Sequence, residues 1–294
     1  MMFLEVELFF FILLAGTALG GHWTYNDEEQ WSSLCQNGQN QSPIALFKSI
    51  ATIKHLSPLS MHGYGQRVKA LLKNNGHSAE VRLEGVEAPR FHGGGLAETY
   101  QLDHLHFHWQ SEHTLDGYRL PLELHLVHFS QQYRNLSEAI QHPHGVAVLA
   151  VLFDLSADDD EDFQPLLDII HNLKEKVGEP RQLQEFSAKN FLPRDKGGFY
   201  RYSGSLTTPG CNEGVVWTIF SNTLPISNRQ VNIFKAIQTE DREPLIKNYR
   251  SLQPLNGRTV YLRVSPIRDN GAFAQKFSLI LITVCSACFL VFWC

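Results

Sequence analysis

Polar and apolar positions alternate along Gln101 to Trp109 and again along Glu123 to His128, the two-residue period of a strand. The first stretch turns His104, His106 and His108 to one face, and the second puts Glu123 and His125 together. Val68 to Lys73, the Asn74-Asn75-Gly76 turn and Ala79 to Glu84 form a hairpin pattern. Gly145 to Asp154 is a continuous apolar run, as in a strand covered on both faces. Gly214 to Phe220 and Arg258 to Val264 read as further strands. Helical periodicity is confined to two places. Asp159 to Val177 carries Phe163, Leu166, Leu167, Ile170, Leu173 and Val177 on one stripe. Acids crowd its start, Lys174 and Lys176 its end, and Gly178 stops it. Ser227 to Gln230 is a capping box opening a shorter helix with Val231, Phe234 and Ile237 inward. No linker or repeat interrupts Gly21 to Asn270. The pattern predicts an α+β, predominantly β, single domain of about 250 residues on a large, mainly antiparallel twisted sheet with peripheral helices.

Both ends depart from that pattern. Leu8 to Leu14 is a short apolar run followed by Ala15, Gly16, Thr17, Ala18, Gly20 and Gly21, which reads as a secretory signal over residues 1–20. Phe277 to Cys294 is almost wholly apolar and stops without a basic flank. That suits a tail, residues 271–294, removed when a glycosylphosphatidylinositol (GPI) lipid is attached at Asn270, and suits a single-pass transmembrane tail less well. The expected location is therefore the extracellular face of the plasma membrane. Cys285, Cys288 and Cys294 would leave with the tail. Cys35 and Cys211 remain, and an even pair in a secreted domain predicts one disulfide. Asn135-Leu136-Ser137 is a glycosylation sequon, whereas Asn40-Gln41-Ser42 is discounted because Pro43 follows it. A net charge of −5 points to neither nucleic acid nor an anionic membrane surface.

The candidate chemistry lies in the two alternating stretches. The chain has 14 histidines, so only geometry can single out ligands. Successive same-face positions on a strand are about 6.6 Å apart, close enough for two to share one ion, while His104 and His108 are roughly 13 Å apart. The first strand can therefore give two adjacent histidines, with His125 as the obvious third. Three neutral imidazoles and an open position are the ligand set of a catalytic zinc site. Glu123 stands beside them as a carboxylate able to fix a ligand's tautomer. Other chemistries lack their signatures. There is no His-Glu-x-x-His and no Gly-x-Ser-x-Gly, and Gly93-Gly94-Gly95 reads as a turn.

Seven blocks, in order, resemble the α-class carbonic anhydrases over nearly all of Gly21 to Val264. They are His22-Trp23-Thr24-Tyr25, Gln41-Ser42-Pro43-Ile44, Asn74-Asn75-Gly76-His77, His106-Phe107-His108-Trp109, Ser111-Glu112-His113-Thr114, Glu123 to His128, and Gly204-Ser205-Leu206-Thr207-Thr208-Pro209. The resemblance implies zinc held by His106, His108 and His125. It implies that Thr207 passes its proton toward Glu112 and so orients the attacking oxygen. It makes His77 the proton shuttle, with Tyr25 and Asn75 ordering water. Val127, Val148, Leu206, Val215 and Trp217 become the apolar wall for carbon dioxide, Thr208 its lip, and the Asn248 carbonyl a support for one zinc histidine. Cys35 and Cys211 match the disulfide of secreted and membrane-anchored members.

Two departures stand out. His104 occupies a position where the family usually has glutamine bonded to a zinc histidine, so altered zinc affinity or inhibitor binding is expected there. Glu80 replaces a residue often neutral, and beside His77 it either acts on that histidine or faces solvent. The implied activity is reversible hydration of carbon dioxide to bicarbonate, with activated-ester hydrolysis as a side activity. A catalytically silent cell-surface binding member is the non-enzyme alternative. Such members lose zinc histidines, and this chain keeps all three.

Overall fold

The structure is a computed structural model that describes residues 23–85 and 87–266. The expected signal, the lipid-attachment site at Asn270, the apolar tail with its three cysteines, and His22 all lie outside the described residues. Nine strands carry the architecture: β1 (Val68–Asn74), β2 (Ala79–Leu83), β3 (Tyr100–Trp109), β4 (Leu122–Ser130), β5 (Val146–Ser156), β6 (Pro180–Phe186), β7 (Phe199–Ser205), β8 (Glu213–Phe220) and β9 (Tyr261–Arg263). They run in the order β6-β1-β2-β3-β4-β5-β8-β7-β9 and end on the short strand Thr52–Ile53, within a 13-stranded sheet. Most neighbours are antiparallel. β5 runs parallel to β8 and to Leu224–Ser227, so the sheet is mixed at its centre. The mostly β, single-domain expectation is met.

Both faces of the central strands are covered, as the apolar run of β5 requires. Leu124 and Leu126 of β4 and Leu149, Val151 and Phe153 of β5 join one core cluster, with Leu105, Phe107 and Trp109 of β3. Helical residues close this face through Phe163, Leu166, Leu167, Ile170, Leu173, Val231 and Phe234. On the opposite face Val127, Val148, Ala150, Val215, Trp217 and Tyr202 form a second cluster. The two longer helices thus stack on one side of the sheet, and the histidines of β3 open on the other, where the short helix Leu136–Ala139 also packs.

Several boundaries differ from expectation. The periodic stretch 159–177 begins as a 3-10 turn, Glu161–Phe163, capped by the Asp160 side chain, and is α-helical only over Gln164–Leu173. It ends early because tertiary partners take its last polar groups. The Lys174 carbonyl accepts from Gln238 N and Asn74 Nδ2, and Gly178 N donates to Asn74 O. The capping box forms on Asn228–Phe234, with Ile237 buried just beyond the helix end. The last strand shrinks to Tyr261–Arg263, because Arg258 closes a turn on the Leu255 carbonyl. The alternation along β3 is also imperfect, since Asp103 and His104 are adjacent polar residues. There the register slips from Val127 opposite His104 to His128 opposite Leu102, and Asp103 is a bulge.

His128 projects to the helix-covered face, fully buried, with Nε2 2.7 Å from the Tyr64 hydroxyl. Burial pushes its pKa down to about 3. The unfolded chain therefore binds this proton first, and stability should fall as pH drops from about 6.5 toward 3, by about 1.4 kcal/mol per unit at most. His128→Gln should flatten the pH dependence of the urea midpoint between pH 6.5 and 4. An unchanged slope would show that His128 does not carry that acid sensitivity.

Candidate metal centre

β3 and β4 pair so that His106 lies opposite His125 and His108 opposite Glu123. Cross-strand partners share a face, so the three imidazoles converge by register alone. Each offers a ring nitrogen within 4.8 Å of the others, a set able to hold one metal ion. His108 Nε2 and His125 Nδ1 are 3.1 Å apart. Burial, followed by the neighbouring histidines, pulls the pKa of His106 well below the ordinary imidazole value. His108 is lowered too, chiefly by burial. Neutral imidazoles are the form that binds metal.

Two of the three are fixed from behind. His108 Nδ1 donates to the Asn248 carbonyl at 2.6 Å. Asn248 does more than supply that carbonyl. Its side chain accepts from Trp109 N at 2.8 Å and donates to the carbonyls of Phe107 at 2.9 Å and His77 at 3.1 Å. His125 Nε2 donates to Glu123 Oε1 at 2.7 Å. Glu123 also accepts from His113, from Nδ1 at 2.7 Å and from the backbone N–H at 2.8 Å. His113 Nε2 meets the Tyr202 hydroxyl at 2.7 Å, and that hydroxyl meets Ser42 Oγ at 2.8 Å. Gly204 makes this approach possible, since a Cβ there would collide with Ser42 Oγ. Burial alone would raise Glu123, but the charges of His113 and His125 and their hydrogen bonds override it and hold the carboxyl far below its usual range.

His104 corrects the expectation. It does not bond to a metal histidine. The bulge brings the Asp103 carboxylate alongside, with Oδ2 2.7 Å from His104 Nδ1, and the His104 ring stacks on His106 at 5.1 Å and 24°. His106 Nδ1 is buried with no hydrogen-bond partner. Asp103 in turn accepts from Arg82 at 2.9 Å, Arg82 Nε is 2.7 Å from Glu80, and Glu80 accepts from Asn75 Nδ2 at 3.1 Å. Glu80 lies opposite His106 in the β2–β3 register, with only 12% of its side chain exposed. It faces the site and not bulk solvent.

Glu112 is fully buried, with Oε1 accepting from Arg250 N at 2.9 Å. Its Oε2 has no partner and lies 3.7 Å from His108 Nε2. Thr207 is buried as well. Asn75 spends its amide oxygen on the turn: Oδ1 accepts from the N–H groups of His77 and Ser78. It shapes the loop carrying His77. The His77 ring stacks on Trp23 at 3.7 Å. Tyr25 is buried beside Trp23 and Trp31, and burial followed by the Glu112 and Glu28 charges lifts its pKa well above the ordinary phenol value. Val127, Val148, Val215 and Trp217 are buried in one cluster with Leu206 packed on it, and the Trp217 ring is 4.8 Å from His125. Thr208 is half-buried, and its carbonyl accepts from Cys211 N.

Cys35 and Cys211 form the expected disulfide. With Tyr25, Trp31 and Trp23 it makes a third cluster, which ties the N-terminal segment to the loop after Thr207 and Thr208. Asn135 is exposed and caps the helix Leu136–Ala139 through its side-chain oxygen. His113, Tyr202, Arg250 and Trp23 take part in the site although no role was assigned to them from sequence. His113 and Trp23 fall inside recognised blocks, but their partners are remote in the chain.

The comparisons agree with this geometry. A model of the eukaryotic-type carbonic anhydrases matches residues 26–264. Putative carbonic anhydrase 5 of Caenorhabditis elegans is 34% identical over 87% of this chain and 86% of its own. Carbonic anhydrase 15 of Mus musculus is 34% identical over 84% and 85%. Carbonic anhydrase 3 of Rattus norvegicus is 33% identical over 82% and 96%. With a matched span that takes in β1 to β9 and every histidine of the cluster, the chain belongs to the eukaryotic-type carbonic anhydrases.

Proposed function

We propose that this protein catalyses the reversible hydration of carbon dioxide at the cell surface, using a zinc ion held by His106, His108 and His125. The observation that carries the reading is the convergence of three imidazoles, His108 and His125 buried and His106 half-buried, with the two buried ones braced by Asn248 and Glu123. Zinc bound there would supply the Lewis acidity that makes water a nucleophile near neutral pH, an effect for which carbonic anhydrases are themselves the reference case.

The protein's own groups do the rest. The wall of Val127, Val148, Leu206, Val215 and Trp217 excludes water and holds an uncharged, weakly polar substrate next to the imidazoles, with Thr208 at its lip. Glu112, buried with Oε2 unpartnered toward His108, is an acceptor waiting for a hydroxyl, and Thr207 is the hydroxyl we assign to it. Its role is to orient the nucleophile's lone pair. His77, on a turn built by Asn75 and seated against Trp23, relays the proton released in each cycle, and Tyr25 lines its approach. Residues 1–20 as a secretory signal, a GPI lipid at Asn270 and glycosylation at Asn135 complete the reading from the sequence.

Stopped-flow hydration of carbon dioxide, with zinc content measured in parallel, tests the proposal. Zinc-loaded protein without hydration activity would sink it. His77→Ala should lower turnover by ~100-fold in weak buffer, the low end of what a positioned acid–base group contributes, and added imidazole should restore it. An undiminished turnover removes His77 from the relay. Release from cells by a phosphatidylinositol-specific phospholipase checks the anchor, and retention favours the transmembrane tail.

A further inference from the structure

The three imidazoles of the cluster are not supported alike. His108 and His125 each give their outer N–H to a protein acceptor, and His106 does not. Resting on the metal reading above, we propose that Asp103 is a positioning residue that diverts His104 from His106. His106 then has ring contacts but no acceptor behind it, and the chain releases its metal more readily than it would with an acceptor at position 104.

The geometry gives the cause. Asp103 is the extra residue of the β3 bulge. Without a bulge, the two-residue period would turn residue 103 to the helix-covered face, away from His104. In this chain its carboxylate instead lies beside His104 and accepts a hydrogen bond from that ring's Nδ1 at 2.7 Å. Arg82 donates to the same carboxylate oxygen at 2.9 Å, and Glu80 secures Arg82 at 2.7 Å. So fixed, the His104 ring lies at 24° to the His106 ring and presents its face. An imidazole accepts a hydrogen bond in its ring plane, through a nitrogen lone pair, so a stacked ring offers no acceptor to its neighbour's Nδ1. The separation of 5.1 Å between ring centres suits packing, and the buried Nδ1 is left without a partner.

The consequence concerns affinity. A metal-binding imidazole whose remote N–H is bonded to an acceptor is both oriented and made a stronger donor, and losing such support typically costs 10–100-fold in metal affinity. At His106 this support is missing in the natural chain. His104→Gln places an amide oxygen, a good acceptor, on the same face, and removes the group that Asp103 holds.

The test is metal retention by the full chain loaded with zinc, followed as loss to an excess of dipicolinate or EDTA. His104→Gln should lose zinc ~10-fold more slowly than the natural protein. His104→Ala, with neither stack nor acceptor, should lose it faster than the natural protein. Asp103→Ala should alter retention in the natural background and leave it unaltered in the His104→Gln background, because Asp103 acts only through His104. The visible spectrum of the cobalt-loaded form, which reports the ligand field, should differ between the Gln variant and the natural protein, while the unfolding midpoints of the metal-free forms agree. Zinc loss or a cobalt spectrum unchanged by His104→Gln overturns the proposal. So does an effect of Asp103→Ala that persists in the Gln background. A natural chain that takes up no zinc overturns the metal reading first and this proposal with it, so the two failures are distinguishable.

Discussion

Glu123→Ala should destabilise the fold by about 3–5 kcal/mol and weaken zinc binding by roughly 10- to 100-fold. The carboxylate is completely buried and accepts from three donors: His125 Nε2, His113 Nδ1 and the His113 backbone N–H. Removing it strands three buried donors, each costing about 1–3 kcal/mol when unpaired, with some relief if water enters the space. It also frees the His113 ring, whose other nitrogen is tied to Tyr202 and through it to Ser42, so the loss spreads from β4 toward β7. Glu123→Gln keeps one acceptor but brings an NH2 toward groups that are themselves donors, and should fall between. Urea unfolding of the metal-free protein reads the first effect and chelator competition the second. A metal-free variant within about 1 kcal/mol of the natural protein would mean that the His113–Glu123–His125 bridge contributes little.

The second large effect belongs to the disulfide. Cys35 and Cys211 are separated by 176 residues, and closing so long a loop stabilises the fold by about 5 kcal/mol in the chain-entropy model. Cys35→Ser with Cys211→Ser should therefore lower the urea midpoint by a large part of the whole stability of a domain. The loss should also be felt at the site. The bridge packs with Tyr25 and Trp31, and Trp23 supplies the surface on which His77 is stacked. Arg250 holds the same segment through the Cys35 carbonyl at 2.7 Å, so the N-terminal segment should loosen without leaving. Tryptophan fluorescence should shift toward that of exposed indole at denaturant concentrations below the main transition. A midpoint and fluorescence both unchanged would show that Arg250 and its neighbours suffice.

Much of this site is local in sequence, which is why it could be read there. A period of two places His106, His108 and His125 on strand faces, and pairing of β3 with β4 brings those faces together. The capping box at Ser227 and the doubly covered β5 are equally local and formed where the pattern put them. What escaped depends on distant partners. The stretch 159–177 has helical periodicity to its end, but Asn74 and Gln238 claim the polar groups after Leu173. His113 carries no signal of its own, because its importance comes from Glu123, Tyr202 and Ser42. The setting of His104 is hidden for a similar reason. The adjacent polar pair Asp103–His104 did mark a break in the alternation, but only the register shows that the break is a bulge and that it delivers a carboxylate to His104.

Asn248 sits outside every strand and helix, yet its carbonyl holds His108 while its amide holds the His77 backbone. The place where chemistry is proposed and the place where its proton is handed on are thus gauged from one residue. The spacing between the two is thus spanned by a single asparagine, which fastens the turn of His77 directly to β3.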